Sequence, residues 1–320
     1  MRDAVVFACD AGHLAYAWVA AQRVAQMEPE RRFDVIVASP DIAEVPAELL
    51  QPEDNGGVRF VFLDPSPLPE IRAPSARISG GAFFRFLLPA ALGHEYRALL
   101  YMDTDTWLRR PGVQALFDAI TTPFAIAAVP DFVPHPALGA YRSLAGRLRA
   151  KAQIADQGGP GGEYWQSGVL LMQTAPFEVE GLAARIFARA AADQGNHKRA
   201  RLGDQSAMNR VAAGEIALLD PRWNWHNYRW LRTDLVARFD PFVLHFSGAA
   251  KPWRVSDDLL AEAVRPEWEA AMRRWTPDWR ATRLKRKRPG LLGRLRQKRH
   301  RIGTEAENAM AALIASSVIG

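Results

Sequence analysis

Two carboxylates stand two residues apart in the segment YMDTDTWLRR, residues 101–110. Asp103 and Asp105 follow the apolar run RALLYM, so we expect them at the end of a buried strand. Residues two apart in an extended segment point to the same side, and both carboxylates would then face one hard cation, with Thr104 turned away. The same pattern is also typical of a turn and a helix cap. The spacing alone leaves a metal site and a turn open.

An imidazole and an amine occur together further along the chain, in the segment VLHFSGAAKPW. A carboxylate pair with His245 is a mixed oxygen and nitrogen ligand set, which suits manganese better than calcium and leaves positions open for phosphate oxygens. Lys251 would add a positive charge for the same phosphates, and Gly248 would let the backbone approach them. The alternative is a structural histidine followed by a lysine-proline turn.

Short strands rich in Val, Ile and Phe alternate with amphipathic stretches, which predicts an α/β domain with a mainly parallel sheet. The predicted strands are AVVFACD, RRFDVIVAS, VRFVFLD, RALLYMD, FAIAAVPD, SGVLLMQT and FVLHFSG; the predicted helices are LAYAWVAAQRVAQM and a segment from residue 80 that ends at Pro89. Ligands of open α/β sheets bind beyond the carboxyl ends of the strands. We therefore expect Asp10, Asp103, Asp131 and His245, which lie at or near such ends, to converge.

The composition is that of a globular chain, with 320 residues, 48% hydrophobic residues and one cysteine, Cys9. A single cysteine excludes an intramolecular disulfide and suits a reducing compartment, so a cytoplasmic protein is expected. The sequence has no uninterrupted apolar stretch of the roughly 18 residues that a membrane span requires. We expect a protein that does not cross a membrane.

Positive charge is concentrated in residues 280–301, RATRLKRKRPGLLGRLRQKRHR, which hold 11 of the 41 Lys and Arg residues and no acidic residue. Such a segment attracts anionic lipid at about 1 kcal/mol per basic residue. A phosphate backbone would attract the same charges, and a solvated, disordered end is the third interpretation. No recognisable nucleic-acid-binding motif accompanies the segment, so we prefer an anionic membrane surface and expect no nucleic acid. The predicted division is a domain over 1–279 and a tail over 280–320.

Five segments resemble, in order and spacing, the family 8 nucleotide-sugar glycosyltransferases, which include bacterial lipopolysaccharide galactosyl- and glucosyltransferases. They are FACDAGHLAYAWVAAQRV, FFRFLLPAAL with RALLYMDTDTWL, YWQSGVLLMQT, GDQSAMNRV with LDPRWNW, and HFSGAAKPW. The resemblance implies a single GT-A-type domain, a Rossmann-like mixed sheet with helices on both faces, followed by a basic helical tail. It also implies transfer of a hexose, galactose or glucose, from a UDP-sugar to a saccharide or lipid-linked acceptor with retention of configuration.

The same resemblance implies roles for individual residues. Asp103, Asp105 and His245 would hold Mn²⁺, or Mg²⁺, against the diphosphate of the UDP-sugar. The nucleotide would be bound by Ala8, Asp10, His13 and Thr104, and its phosphates by Gly248 and Lys251. Arg85 would lie across the donor sugar, Asp204 would bond its hydroxyls, and Gln205 would sit near the anomeric carbon as the catalytic group. The sugar substrates would also contact Asp131, Gln166 and Ser167.

Two departures from the family pattern concern the donor. Gly12 and His13 stand where the family commonly has Asn and Tyr, so an imidazole replaces the ring that stacks on uracil. Gln166 and Ser167 stand where the family usually has Asn and Ala, and Gln166 is longer by one methylene. The sequence therefore leaves the base and the hexose open.

Two other classes of function fit parts of the pattern. A metal-dependent nucleotidyltransferase also uses paired aspartates at a strand end, but it would take a nucleoside triphosphate. A non-catalytic protein that binds sugar nucleotides or nucleic acid is the other alternative. The complete set of Asp103, Asp105, His245 and Lys251 argues against a degenerate site.

Overall fold

The computed structural model describes residues 1–51, 56–69, 80–132, 135, 144–157, 163–196, 202–227, 233–283 and 304–317. Its strands are β1 (Arg2–Ala8), β2 (Asp34–Ser39), β3 (Val58–Phe62), β4 (Tyr96–Met102), β5 (Thr106–Leu108), β6 (Ile126–Pro130), β7 (Trp165–Gln173), β8 (Ala217–Leu218), β9 (Trp225–His226), β10 (Val243–His245), β11 (Arg254–Val255) and β12 (Thr282–Arg283).

The α-helices of the described residues are α1 (Leu14–Met27), α2 (Leu88–Leu92), α3 (Val113–Asp118), α4 (Leu144–Gln157), α5 (Thr174–Val179), α6 (Leu182–Ala192), α7 (Asp204–Ala212), α8 (Thr233–Phe239), α9 (Leu259–Trp275) and α10 (Thr304–Ser316). Short 3-10 helices include Gly80–Phe86 and Pro221–Trp223. Among the described residues, no helix is both long and apolar enough to pass through a bilayer.

The large sheet has the strand order β3-β2-β1-β4-β7-β6-β8. Strands β1 to β4 pair in parallel, whereas β7 is antiparallel to both β4 and β6. A second sheet has the order β5-β10-β9, and a short pair joins β11 to β12. The predicted mixed α/β sheet is confirmed.

Alternate residues of β1 pack on opposite faces of the large sheet, as the two-residue period of a strand requires. Val5 and Phe7 belong to one apolar cluster, which includes α1, α9 and Met310 of α10. Val6 belongs to the other cluster, which includes α6 and Met208 of α7. Helices therefore cover both faces of the sheet, and its strand ends are held by two packed cores.

The prediction that a helical segment from residue 80 ends at Pro89 is wrong. A 3-10 helix spans Gly80–Phe86, and Pro89 lies in the first turn of α2. Proline is tolerated there because the amide of a first-turn residue has no partner within the helix. The buried Arg85 lies on this 3-10 helix and lines the cleft described below.

The C-terminal helix α10 packs on the body of the protein. Met310 is 2% exposed within the main apolar cluster, and Arg238 Nη1 lies 2.5 Å from Glu307 Oε2. Of the predicted basic tail, residues 284–303 lie outside the described residues, so its contact with a membrane stays a prediction. The division at residue 279 likewise stays a prediction.

Candidate active site

A cleft of about 970 Å³ opens where β1 and β4 end. Its lining includes Asp10, Asp103 and His245, which are three of the four side chains that were expected to converge, but not the fourth, Asp131. Antiparallel β7 begins at the same edge and adds its first polar residues. The predicted residues that line the cleft are Ala8, Asp10, His13, Arg85, Asp103, Thr104, Asp105, Gln166, Ser167, Asp204, Gln205, His245, Gly248 and Lys251.

Asp103 and Asp105 lie on a tight turn between β4 and β5. The backbone N–H of Thr106 donates to the Asp103 carbonyl oxygen at 3.1 Å, and the Thr106 hydroxyl donates to the same oxygen at 2.7 Å. Phe246 N–H donates to the carbonyl oxygen of Asp105 at 2.9 Å. The expectation of an extended segment with Thr104 turned away is wrong, because the turn that joins the two strands takes up these residues. The turn therefore carries the two carboxylates of the candidate metal group.

His245 completes the group at the end of β10. Strand β10 is antiparallel to β5, and this register sets His245 opposite Thr106, next to the turn. Its Nε2 lies 3.2 Å from Asp105 Oδ1 and 3.7 Å from Asp103 Oδ2. One ligand atom from each of these residues lies within 4.8 Å of the others. Two carboxylates and an imidazole at this spacing fit a divalent ion such as Mn²⁺.

Lys251 adds a cation to this group. Its ammonium contacts Asp105 Oδ2 and stands beside the glycine-containing segment that follows β10. Burial acts to raise the pKa of Asp105, but the Lys251 ammonium and the His245 ring outweigh it and hold that pKa well below its usual range. Asp105 is therefore ionised at neutral pH, as a metal ligand must be.

Arg85 is buried and joins two carboxylates. Its Nη2 lies 3.1 Å from Asp103 Oδ1, and its Nε lies 3.4 Å from Asp204 Oδ2. Its Nη1 also donates to the carbonyl oxygen of Ser167, and its guanidinium carbon lies 4.6 Å from the centre of the Tyr101 ring. Burial raises the pKa of Asp204, although Arg85 and a hydrogen bond from Ser167 oppose this. Arg85 therefore bridges Asp103, a member of the candidate metal group, and Asp204.

Gln205 occupies the start of α7 and has both ends of its amide engaged. Its Nε2 donates to Asp131 Oδ2 at 2.9 Å, and its Oε1 accepts from Ser167 N at 3.3 Å. The Ser167 hydroxyl donates to Asp204 Oδ2 at 2.8 Å. Asp131, which was expected at the donor or acceptor sugar, is buried against Gln205 and is not among the residues that line the cleft.

The end of the cleft beyond β1 is lined by aromatic and imidazole rings. His13 Nδ1 lies 3.0 Å from Asp10 Oδ1, and this hydrogen bond raises the pKa of His13. Tyr16 stacks on Trp253 with ring centroids 4.4 Å apart and meets His13 edge to face. Gly248 faces open space, so a bound group could approach its backbone. This end can accept a flat, polar ring.

Two residues of the site, Tyr101 and Asn224, were missed by sequence reasoning. Tyr101 donates its hydroxyl hydrogen to Asp103 Oδ1 at 2.5 Å, and Asn224 Oδ1 lies 2.8 Å from His245 Nδ1. Asn224 Nδ2 donates to Gln166 Oε1 at 2.7 Å. Tyr101 and Asn224 both lie in segments that carried the family resemblance, and this location was a sign in the sequence that they could belong to the site. Their roles depend on contacts across the fold that no spacing reveals.

A family model and one curated protein match the sequence. The model described as Glycosyl transferase family 8 matches residues 4–257. General stress protein A of Bacillus subtilis (strain 168) is 24% identical over 210 residues, which cover 62% of this chain and 68% of that protein.

Solved structures share the architecture. The galactosyltransferase LgtC in complex with donor and acceptor sugar analogs superposes with a TM-score of 0.61 at 20% identity, over 85% of this chain and 96% of that chain. The apo-form glycosyltransferase GlyE of Streptococcus pneumoniae TIGR4 gives a TM-score of 0.55 at 18% identity, over 87% of this chain and 64% of that chain. At these identities the likeness shows a common fold.

Proposed function

The chain belongs to glycosyl transferase family 8 and has the GT-A type of fold, and from this premise we propose that it is a retaining hexosyltransferase. It would move galactose or glucose from a UDP-sugar to a saccharide or lipid-linked acceptor, with Mn²⁺ or Mg²⁺ as cofactor. The observation that carries the proposal is the approach of Asp103, Asp105 and His245, whose ligand atoms lie within 4.8 Å of one another in an open cleft.

The donor would lie along the cleft with its diphosphate at this group. Asp103, Asp105 and His245 would hold the ion, which when bound would offset the negative charge that grows on the departing UDP. Lys251 would bind the same phosphates through its ammonium, since it already lies against Asp105. The base would enter the end lined by Ala8, Asp10 and His13, with Thr104 and Gly248 beside the nucleotide.

The sugar would lie between Arg85 and the start of α7. Asp204 Oδ2 is bonded by Ser167 and paired with Arg85, which suits a carboxylate that orients sugar hydroxyls through its other oxygen. Gln205 presents an amide, which is a poor nucleophile. Two successive inversions need a carboxylate directly behind the sugar. These contacts favour reaction on a single face of the sugar.

In that route the bond from the anomeric carbon to the UDP oxygen breaks while the acceptor oxygen forms its bond on the same face. The acceptor hydroxyl gives its proton to the departing phosphate oxygen, so no protein base is required. Arg85 and Lys251 would stabilise the negative charge on the departing UDP because they are fixed, positively charged groups that line the cleft. Asp131 would act by holding the Gln205 amide in place.

The acceptor would approach from the open side of the cleft. A glycolipid acceptor fits the basic segment 280–301, which would bind anionic lipid at the cytoplasmic face of the membrane. The concentration of Lys and Arg in this segment supports the placement, and no nucleic-acid partner is expected.

Release of UDP without acceptor tests the activity. We expect UDP-galactose or UDP-glucose with Mn²⁺ to be hydrolysed slowly by the wild-type protein, and not by Asp105→Asn. Product formed with a saccharide acceptor should keep the α configuration by NMR. Hydrolysis of a nucleoside triphosphate in preference to every UDP-sugar would contradict the proposal and support a nucleotidyltransferase.

A further inference from the structure

We propose that Asn224 and Gln166 are positioning residues that set the tautomer and direction of the His245 ring. They would keep the hydrogen on Nδ1 and leave the Nε2 lone pair facing Asp103 and Asp105. The proposal rests on the proposed role of His245 as a metal ligand and adds the groups that prepare it. It gives Gln166 a role different from the contact with the donor sugar that the sequence suggested.

The backbone N–H of Gly168 sets the direction of the hydrogen bonds that link Gly168, Gln166, Asn224 and His245. A backbone N–H can only donate, and Gly168 N lies 2.5 Å from the end of the Gln166 side chain, so that atom must be the amide oxygen. The same oxygen lies 2.7 Å from the Asn224 side chain, which must therefore present its NH₂ group to it. Neither amide can be turned over without setting two donors or two acceptors against each other.

The orientation of Asn224 then decides the state of His245. With its NH₂ group toward Gln166, Asn224 presents Oδ1 to His245 Nδ1 at 2.8 Å. An amide oxygen only accepts, so Nδ1 must carry the hydrogen. In the neutral ring the lone pair is then on Nε2, which lies 3.2 Å from Asp105 Oδ1 and 3.7 Å from Asp103 Oδ2. Metal-binding histidines are commonly held in this way through their second nitrogen.

Burial raises the free-energy cost of losing any of these hydrogen bonds. Asn224 is 0% exposed, His245 is 1% exposed and Gln166 is 8% exposed. A buried donor or acceptor that loses its partner has no solvent to replace it, which costs about 1–3 kcal/mol. The favoured state is the one in which the Gly168, Gln166, Asn224 and His245 groups are all paired.

The residues that form these hydrogen bonds lie on, or next to, paired strands. Asn224 directly precedes β9, whose residues Trp225 and His226 pair with Leu244 and His245 of β10. Gln166 and Gly168 lie on β7, which pairs with β4 and β6 in the middle of the large sheet. These hydrogen bonds therefore link the seven-stranded sheet to the sheet formed by β5, β10 and β9. A ligand held on strands in this manner is more precisely placed than one on a loop.

Substitutions that nearly preserve the volume of Asn224 distinguish the effect of its hydrogen bonds from the effect of its packing. Asn224→Asp keeps an oxygen that accepts the hydrogen of His245 Nδ1 and gives up only the NH₂ donor to Gln166, whereas Asn224→Leu gives up both. We expect Asn224→Leu to weaken Mn²⁺ binding by about 10- to 100-fold and Asn224→Asp to weaken it less. The matched control is Asn209→Leu, another buried Asn, which bonds Trp165 and the Gln205 backbone and makes no hydrogen bond to His245. It should leave Mn²⁺ affinity near the wild-type value.

Mn²⁺ affinity is measured by the loss of the free-ion electron paramagnetic resonance signal, with no nucleotide present. Equal affinities for Asn224→Leu and Asn224→Asp would overturn the proposal, as would an equal loss in Asn209→Leu.

A second measurement uses the wild-type protein alone and does not depend on whether a variant folds. Long-range ¹H–¹⁵N correlation spectra of metal-free protein at alkaline pH report which ring nitrogen of His245 carries hydrogen. We expect a neutral ring with hydrogen on Nδ1, and a neutral ring with hydrogen on Nε2 would overturn the proposal. If Nδ1 carries hydrogen but the wild type binds no divalent ion, the proposed metal role fails and the positioning of the ring stands.

Discussion

A Cβ atom at Gly168 would lie 2.4 Å from Cε1 of His245. The same atom would lie 2.6 Å from Asp103 Oδ2, so a side chain at this position would occupy the space beside two members of the proposed metal group. Real Cβ atoms do not approach other atoms this closely. Gly168 is therefore required by the close approach of the histidine and the carboxylate to β7.

Gly168→Ala is expected to displace His245 or Asp103 and to weaken Mn²⁺ binding by at least about tenfold. Isothermal titration of the metal-free protein with Mn²⁺ measures this directly. Gly80→Ala is the matched control because a Cβ there would meet no atom within 4 Å. Wild-type Mn²⁺ affinity in Gly168→Ala would show that the three ligand groups do not need the observed spacing.

Arg85→Met is expected to lower the free energy of unfolding by about 3–5 kcal/mol, because it leaves two carboxylates without their buried cation. Urea denaturation measures the change. The comparison variant is Arg2→Met, whose ion pairs with Asp34 and Glu95 are solvent-exposed and whose loss should cost less than about 1 kcal/mol. Equal losses in the two variants would mean that Arg85 is not a buried bridge.

The double variant Arg85→Met/Asp204→Asn separates the bridge from simple packing. Removing the Asp204 charge should recover part of the stability lost in Arg85→Met, because one carboxylate, Asp103, is then left without Arg85 instead of two. Strict additivity of the two single changes, measured by the same denaturation, would contradict a coupling between Arg85 and Asp204.

The His13 and Asp10 pair predicts a pH dependence of stability. The hydrogen bond to Asp10 raises the pKa of His13 above its usual value of 6.5. A histidine whose pKa is raised by folding contributes stability that is complete below the unfolded-state pKa and is lost as the pH rises through the folded-state pKa. The stability advantage of the wild type over His13→Gln should therefore be larger at about pH 6 than at about pH 9.

Guanidinium denaturation at the two pH values checks this difference, and NMR titration of His13 checks its cause. In Asp10→Asn the pKa of His13 should fall back toward about 6.5. A difference between wild type and His13→Gln that does not change with pH would refute the pairing of the protonated ring with Asp10.

The basic segment is best tested by substitution, because deletion to the C-terminus would also remove α10 and expose its contact with the core through Met310. Replacing Lys285, Arg286, Lys287 and Arg288 with Gln should weaken binding to phosphatidylglycerol vesicles by roughly 1 kcal/mol per charge. Co-sedimentation measures it, with phosphatidylcholine vesicles as the control. Unchanged binding to anionic vesicles would exclude this segment as the membrane contact.

Six of the seven strands of the large sheet could be predicted because their apolar runs are strong and bounded by polar residues; the two-residue β8 was not predicted. The run RALLYM became β4, and AVVFA became most of β1. The direction of β7 could not be predicted in this way, since an apolar strand has the same pattern whichever way it runs. That direction matters, because antiparallel β7 begins at the edge where Ser167 meets Arg85 and Gln205.

The identities of the proposed metal ligands could be predicted, but their arrangement could not. An Asp-x-Asp spacing does not distinguish a strand from a turn, and the hydrogen bonds of Thr106 decide for the turn. The contacts of Asn224 with Gln166 and His245 join residues that are 58 and 21 positions apart. They arise only when β9, β10 and β7 are assembled.

Binding of UDP in the presence and absence of Mn²⁺ tests the central claim most directly. Isothermal titration calorimetry of the wild-type protein should show UDP binding that requires the ion, and Asp103→Asn/Asp105→Asn should lose it while still unfolding cooperatively on heating. UDP binding of equal affinity with and without Mn²⁺, or undiminished Mn²⁺-dependent binding in the double variant, would contradict a donor site built on Asp103, Asp105 and His245.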